Sequence, residues 1–188
     1  MKIAITGTIA SGKSEACKYL ENKGFFVFYA DEYNNYLLHN NEDVKNKIAK
    51  LFPFAIINND INNKILADIV FNDPHSLVLL ENILHPLILE KINEESKKHE
   101  LLICEIPLLF EKSWEKYFDH NLLIVSSKSL ITTRLKNKGY SVDMINKRIA
   151  NQMPIDDKIN KAEEIIYNNG SLSSLYKSID EFILKYAR

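Results

Sequence analysis

A stretch near the start of the chain, Gly7–Ser14 (GTIASGKS), matches the pattern G-x-x-x-x-G-K-[ST]. The apolar run Met1–Thr6 precedes it and predicts a buried strand, and Glu15–Lys23 follows with a helical pattern closed by Gly24. In this order of strand, loop and helix, the glycines allow a tight turn whose backbone N–H groups surround phosphate oxygens. The stretch therefore predicts a site for the phosphates of a nucleoside triphosphate.

The residues of this loop have separate expected roles. The Lys13 ammonium would reach the β- and γ-phosphates, and the Ser14 hydroxyl would occupy one coordination position of Mg²⁺. The alternative is a glycine turn that precedes a Lys-Ser pair by chance, which the flanking strand and helix make rare. The predicted nucleotide-binding residues are Ala10, Ser11, Gly12, Lys13, Ser14 and Glu15.

The composition excludes several classes of function. The 188 residues carry a formal net charge of -1, so no basic field favours nucleic acid and no basic cluster favours a membrane surface. Cys17 and Cys104 are interpreted as reduced packing residues, because no metal-ligand spacing involves them. No apolar run reaches the roughly 18 residues of a membrane span. The chain begins directly with a strand, without room for a signal peptide, so we expect a cytoplasmic protein.

Short apolar runs separated by helical patterns predict the fold class. The runs cover residues 1–6, 25–29, 101–106, 121–125 and 165–167. Continuously apolar strands that alternate with helices indicate a parallel sheet covered on both faces. The prediction is an α/β fold, with a P-loop NTPase-type parallel sheet of about five strands flanked by helices.

The stretch between strands two and three is predicted to be helical. From Glu32 to Leu51 we expect helix with an interruption near residues 39–41 and a cap at Asp43. Another helix is predicted over residues 61–71.

Further along, turn and cap residues set the expected helix ends. Asp73-Pro74 begins a helix, within which Pro86 should kink or break the backbone. Ser171 is predicted to cap the last helix. The asparagine pairs at 58–59, 62–63 and 168–169 are interpreted as compositional drift rather than a prion-like tract.

Ligands of parallel α/β sheets bind beyond the carboxyl ends of the strands. The phosphate loop, Asp31, Glu105–Leu109 and Ser126–Ser127 each follow a predicted strand, so we expect them to face one crevice. Glu105 ends a buried strand, where an unpaired acid is costly, so a role behind Mg²⁺ is considered beside a structural one. With the long helical stretch as an acceptor-binding insertion, the architecture is typical of a small P-loop kinase.

Beyond the loop, several short motifs occur in a fixed order along the chain. They are Ala30-Asp31, Leu84-His85-Pro86-Leu87-Ile88, Pro107-Leu108-Leu109-Phe110-Glu111, Arg148-Ile149-Ala150-Asn151-Gln152-Met153-Pro154 and Asn168-Asn169-Gly170. Over essentially its whole length, the chain resembles the dephospho-CoA kinase family. The resemblance implies that ATP with Mg²⁺ donates its γ-phosphate to the ribose 3′-hydroxyl of dephospho-CoA, which gives coenzyme A and ADP.

The resemblance also implies roles for residues outside the loop. Asp31 would be the general base, with capping of a helix that begins at Glu32 as the alternative. Arg134 and Arg148 would be lid cations over the γ-phosphate, although surface charge is the commoner fate of arginine. His85 would lie near the acceptor or else be a core histidine, and Asn168 would border the adenine or simply shape a turn. The predicted catalytic residues are Lys13, Asp31, Arg134 and Arg148, and the predicted substrate-binding residues are Asp31, His85, Pro107 and Leu108.

We expect a single P-loop kinase domain over residues 1–188. Its core would comprise residues 1–31, 100–127 and 160–188, with the acceptor-binding insertion at about 32–99. A lid at about 128–158 would close to exclude water. Dephospho-CoA is the expected partner, and a monomer is favoured, with the oligomeric state left open.

Several positions depart from the usual pattern of that family. Thr8 and Ala10 replace loop glycines, and alanine is tolerable at that place if its φ is negative. Glu15 replaces a threonine and would bring a carboxylate near Mg²⁺ and the phosphates, weakening nucleotide affinity. Tyr29 replaces an aspartate, which leaves Asp31 as the acid of that turn. The remaining departures are Asn62-Asn63 in place of Asp-Arg and Lys138-Gly139 in place of Arg-Asp.

Two other functions stay open at this point. One is another small-molecule kinase of similar build, of the nucleoside or shikimate type. The other is a nucleotide-dependent switch or ATPase module whose partner is a protein. A switch would turn over slowly without a small acceptor, whereas a kinase would form ADP only when the acceptor is present.

Overall fold

The computed structural model describes residues 1–187 of the chain. Its strands are β1 (Lys2–Gly7), β2 (Val27–Tyr29), β3 (Ile56–Ile57), β4 (Asp60–Ile61), β5 (Leu102–Glu105), β6 (His120–Val125) and β7 (Glu164–Tyr167). Its helices are α1 (Lys13–Asn22), α2 (Ala30–Asn40), α3 (Glu42–Leu51), α4 (Asn63–Asn72), α5 (Pro74–Ser96), α6 (Lys128–Asn137), α7 (Val142–Ala150), α8 (Ile155–Lys161) and α9 (Leu172–Ile183).

Within residues 1–187, five strands form one sheet in the order β2-β5-β1-β6-β7, and every pairing in it is parallel. The strands β1, β5 and β6 are buried almost throughout, because they are apolar on both faces. Cys17 and Leu20 of α1 and Leu175 and Ile179 of α9 share one hydrophobic core with these strands. The predicted α/β class, with a P-loop-type parallel sheet flanked by helices, is confirmed.

The carboxyl ends of the strands lie along one edge of the sheet. The register pairs Tyr29 of β2 with Glu105 of β5, and Gly7 of β1 with Ile124 of β6. The last residues of β6 and β7 pair with each other. Since ligands bind at this edge in parallel sheets, the residues that follow these strands are the candidates for function.

The chain forms two compact units. One unit is Ala30–Glu95, in which α2, α3, α4, most of α5 and the β3-β4 hairpin surround buried residues such as Leu37, Val44 and Ile48. The other combines Met1–Tyr29 with the residues after Glu95 and holds the parallel sheet. The division into kinase core, acceptor-binding insertion and lid stays a prediction, and Arg188 lies outside the described residues.

The asparagine pairs have structural roles, so their interpretation as compositional drift is wrong. Asn58 and Asn59 have φ angles of 50° and 62° and form the two-residue turn between β3 and β4. Such a turn requires positive φ at both positions, which asparagine tolerates better than most residues. Asn62 caps α4 by accepting hydrogen bonds from the N–H groups of Lys64 and Ile65. The helix predicted over residues 61–71 therefore begins two residues later.

Helix ends agree with the sequence prediction in part. The Asp73 carboxylate accepts the N–H groups of His75 and Ser76 at the start of α5, and Ser171 caps α9, both as predicted. The interruption before α3 is also present, but Asn41 caps that helix, because its side chain accepts the Val44 N–H.

Pro86 does not break its helix. The helix α5 runs without interruption from Pro74 to Ser96. A proline removes one backbone donor, but buried Leu84, Ile88 and Ile92 recur at four-residue spacing and hold the helix on both sides of it.

Two further predictions concern membrane-spanning helices and the cysteines. No helix in the described part of the chain combines the length and apolar character that crossing a membrane requires. Cys17 and Cys104 are buried free thiols, as predicted.

Candidate active site

Two glycines shape the loop between β1 and α1. A Cβ atom on Gly7 would lie 2.4 Å from Ser11 Oγ and 2.6 Å from the Ile124 carbonyl oxygen, so only glycine fits. Gly12 has a φ of 107°, and a Cβ atom there would lie 2.3 Å from Asn168 Nδ2. The helix α1 begins at Lys13, so its first N–H groups have no intrahelical acceptor and are available to an anion. The tight glycine turn at the start of a helix is therefore present as expected, and its binding of phosphate stays a prediction.

Backbone carbonyls of this loop are held by side chains from elsewhere in the same unit. The Ser11 carbonyl accepts hydrogen bonds from Asn168 Nδ2 at 2.8 Å and Ser126 Oγ at 3.0 Å. Because a peptide group is planar and trans, the N–H of Gly12 points away from these donors. The buried side chain of Asn168 thus orients the loop, and its predicted place beside the adenine stays a prediction.

A carboxylate at the end of β5 contacts both functional side chains at the start of α1. The Ser14 hydroxyl donates to Glu105 Oε1 at 2.7 Å, and Lys13 Nζ lies 3.5 Å from the same oxygen. The Glu105 side chain is only 9% exposed, so this contact to the lysine offsets the cost of burying the acid. A hydroxyl and a carboxylate are hard oxygen ligands of the kind that Mg²⁺ prefers, so these residues fit that ion.

The surroundings raise the pKa of one thiol on α1 and of one tyrosine that contacts α1. Burial, reinforced by the nearby charge of Glu105, raises the pKa of the Cys17 thiol well above its ordinary value. The Tyr176 hydroxyl of α9 donates to Glu15 Oε1, and that hydrogen bond raises the pKa of Tyr176. The Glu15 carboxylate is therefore bound by α9, and its predicted effect on nucleotide affinity stays a prediction.

The two predicted lid arginines have different surroundings. Arg134 of α6 donates to the carbonyl oxygens of Ala10 at 2.9 Å and Ser11 at 3.3 Å, and also to that of Asn168 at 3.2 Å. Arg148 of α7 is exposed, and its guanidinium carbon lies 4.7 Å from the ring centroid of Tyr140. Arg134 therefore supports the loop backbone, and the action of either arginine on the γ-phosphate stays a prediction.

The contact between Gln152 and the phosphate loop was not predicted from the sequence. Gln152 belongs to the segment 128–158, the predicted lid, which is called the lid from here on as a name only, and its Oε1 accepts the N–H of Ile9 at 2.9 Å. Its neighbour Met153 donates its N–H to Glu111 Oε1 at 3.1 Å, and Lys158 Nζ lies 2.7 Å from that oxygen. Gln152, Met153 and Glu111 belong to motifs that the sequence pointed out, but the residue types in those motifs do not indicate which residues they contact.

One protein family matches nearly the whole chain. The model of that family, dephospho-CoA kinase, matches residues 1–174. The chain belongs to the dephospho-CoA kinase family. The dephospho-CoA kinase of Helicobacter pylori is 37% identical over an alignment of 189 positions, which covers 96% of this chain and 95% of that protein.

Solved structures agree with membership of the dephospho-CoA kinase family. TT1252 from Thermus thermophilus is 31% identical with a TM-score of 0.89, covering 100% of this chain and 98% of that chain. The dephospho-CoA kinase from Campylobacter jejuni is 28% identical with a TM-score of 0.72, covering 98% of this chain and 97% of that chain.

Ala10 does not have the negative φ that was expected to make alanine tolerable at this place of the loop. Its φ is 57°, in the left-handed region and not negative. That conformation costs a residue with a Cβ atom about 1 kcal/mol. Ala10 and Ile9 pack against a lid cluster formed by Ile131, Leu135 and Ile145, and this packing holds the strained residue in place.

Two further departures from the family pattern have local partners. The Tyr29 hydroxyl donates to Glu21 Oε2 at 2.7 Å, and burial together with this hydrogen bond raises the pKa of Tyr29. In the other unit, Asn63 donates to Asn35 Oδ1 at 2.7 Å, and its own Oδ1 lies 3.2 Å from His39 Nε2. Neutral Tyr29 therefore stands in place of an aspartate of the family pattern, and neutral Asn63 stands in place of an arginine.

Asp31 is not the cap of a helix that begins at Glu32. The helix α2 begins at Ala30, directly after β2 ends at Tyr29, so exposed Asp31 lies within the first helical turn. The capping alternative is wrong because the chain passes from strand to helix without an intervening residue.

The other predicted acceptor residues belong to two elements. Pro107 and Leu108 follow β5 after one residue, the Thr6 hydroxyl donates to the Pro107 carbonyl at 3.4 Å, and Leu108 is exposed. His85 is half-buried next to buried Leu84 on α5. Their contacts with an acceptor stay predictions.

Proposed function

We propose that this chain transfers the γ-phosphate of ATP to the ribose 3′-hydroxyl of dephospho-CoA, which gives coenzyme A and ADP. One observation carries the proposal, the near full-length match to the dephospho-CoA kinase family. The phosphate-binding loop with Lys13 at the N-terminus of α1 supports it, because phosphoryl transfer depends on positioning and charge at that place.

The loop would hold the nucleotide through its backbone and through Lys13. Donors at the start of α1 match phosphate oxygens, and the Lys13 ammonium offsets the charge that they carry. Glu105 keeps Lys13 and Ser14 at the sheet edge before the nucleotide arrives. Ser14, with Glu105 behind it, would hold Mg²⁺, which supplies further positive charge to the β- and γ-phosphates when bound.

Asp31 would accept the proton of the 3′-hydroxyl. That oxygen forms its bond to the γ-phosphorus while the bond from the γ-phosphorus to the bridging oxygen of ADP breaks. The support for Asp31 is its place two residues beyond β2, whose end is paired with Glu105. The neighbouring side chain that could replace it, Tyr29, has a raised pKa and stays neutral.

The remaining assignments belong to the same proposal. Closure of the lid would exclude water, with Arg134 and Arg148 acting on phosphate charge, and the packing of Ile9 and Ala10 against the lid supports such coupling. His85, Pro107 and Leu108 would contact the acceptor, and Asn168 would border the adenine. We infer a cytoplasmic enzyme and favour a monomer, with the oligomeric state left open.

An ADP-release assay over a panel of acceptors tests this function. The panel contains dephospho-CoA, shikimate, several nucleosides and a reaction without acceptor. We expect ADP to form only with dephospho-CoA. ADP release with another acceptor alone would favour a different small-molecule kinase, and equal release without acceptor would favour an ATPase module.

A further inference from the structure

The backbone of Ala10 is held from both sides by residues of the lid. On its N-terminal side, Gln152 Oε1 accepts the N–H of Ile9 at 2.9 Å. On its C-terminal side, Arg134 donates to the carbonyl oxygen of Ala10 itself at 2.9 Å. These two hydrogen bonds enclose the residue of the phosphate loop that adopts a left-handed conformation, with a φ of 57°.

This conformation is costlier for alanine than for glycine. A left-handed backbone brings its Cβ close to the following carbonyl oxygen, whereas glycine has no such contact. A rotation of Ala10 out of this region would change the direction of the N–H groups that follow it. The loop of this chain therefore depends on outside contacts in a way that a loop with glycine at the same place would not.

The backbone next to Gln152 is held by a hydrogen bond and by ion pairs of α8. The next residue, Met153, donates its N–H to Glu111 Oε1, and the fully buried Lys158 pairs with that oxygen at 2.7 Å. A second ion pair, Lys161 with Glu115 at 3.1 Å, joins α8 to the segment that also contains Glu111. These contacts fix the backbone at Gln152, so its side chain reaches Ile9 from a defined place.

We propose that Gln152 is a positioning residue that keeps Ala10 left-handed and so orients the phosphate loop for nucleotide. It acts through Ile9 and does not itself contact a phosphate. The inference rests on the nucleotide site of the proposed function, and it adds a residue that sets the shape of that site.

Calorimetric binding of ADP tests this without any acceptor. The proteins are the parent chain, Gln152→Met, Ala10→Gly and the double variant, with Asn151→Ala as a matched control at an exposed neighbouring amide. Methionine keeps the length of the side chain but removes the acceptor. We expect Gln152→Met to weaken ADP binding roughly fivefold in the parent background. In the Ala10→Gly background we expect a loss below about twofold, because glycine holds the conformation without help.

The outcomes separate this inference from the proposed function. An equal loss in both backgrounds, or no loss in the parent, overturns the role of Gln152 while the proposed function stands. A parent chain that binds no ADP overturns the proposed function and this inference with it. Melting temperatures show that each variant is folded, and Gln152→Leu replaces Gln152→Met if that variant is not.

Discussion

The hydroxyl of Ser14 donates a hydrogen bond to Glu105, whose Oε1 lies 2.7 Å away at the end of the neighbouring strand β5. The same oxygen lies 3.5 Å from the Lys13 ammonium. One buried carboxylate therefore arranges both the hydroxyl expected at Mg²⁺ and the cation expected at the phosphates. This makes Glu105 the support of the proposed metal-nucleotide site.

Replacing Glu105 with glutamine should weaken the response of the protein to Mg²⁺. Glutamine keeps an acceptor for Ser14 but removes the negative charge behind the ion. We expect the Mg²⁺ concentration that half-maximally enhances ADP binding to rise about tenfold, measured by calorimetry. Glu181→Gln, at an exposed acid of α9, is the control. An unchanged Mg²⁺ dependence would remove Glu105 from the metal site.

The two lid arginines should differ in what their loss affects. Arg134→Ala removes hydrogen bonds to the carbonyls of Ala10 and Ser11, so we expect a stability loss of about 2 kcal/mol in urea unfolding. Exposed Arg148 should contribute little to stability, whereas Arg148→Ala should lower kcat at least roughly tenfold if it acts on transferring charge. Parent-like kcat for Arg148→Ala would leave it as surface charge stacked on Tyr140.

The buried pair of Lys158 and Glu111 should be strongly coupled. Lys158→Met leaves the partner carboxylate without its cation, so we expect a loss of about 3–5 kcal/mol in unfolding free energy. Adding Glu111→Gln removes that charge but keeps an acceptor for Met153, and should recover roughly half of the loss. Lys161→Met is the matched control, because the Lys161 side chain is 40% exposed and its loss should cost no more than about 1 kcal/mol. Additive losses in the double variant would contradict the coupling.

Asp31→Asn should separate chemistry from structure. Asparagine keeps the shape and removes the basicity, so we expect a near-parent melting temperature, retained ADP binding and a fall in kcat of about 10²–10⁴-fold. A late proton transfer in a loose transition state would bring the value toward the lower end. Asp43→Asn is the control, since Asp43 is the second residue of α3 as Asp31 is of α2. Parent-like turnover would show that Asp31 is not the base.

Most of the fold could be predicted because its signals are local. The strands β1, β5 and β6 are continuous apolar runs, and the phosphate loop lies between such a run and a helix. The hairpin at Asn58 and Asn59 was missed because its strands are two residues long and its turn looks like polar sequence. The break considered at Pro86 does not occur, because buried neighbours on both sides hold the helix together.

The sequence predicted only those parts of the candidate site whose residues lie close together along the chain. Lys13 and Ser14 follow from the motif, but Gln152 meets Ile9 across 143 residues, and no local pattern indicates that contact. The left-handed φ of Ala10 likewise depends on packing against the lid. Such features arise from tertiary contacts, which a single sequence does not contain.

The position of the transferred phosphate tests the central claim most directly. The protein is incubated with ATP, Mg²⁺ and dephospho-CoA, and the product is analysed by mass spectrometry and phosphorus NMR. We predict that the acceptor gains one phosphate, bound as a monoester to the 3′-oxygen of its adenosine ribose, with an equal amount of ADP. ADP formed without any added phosphate on dephospho-CoA, or a phosphate at another position of the acceptor, would contradict the account.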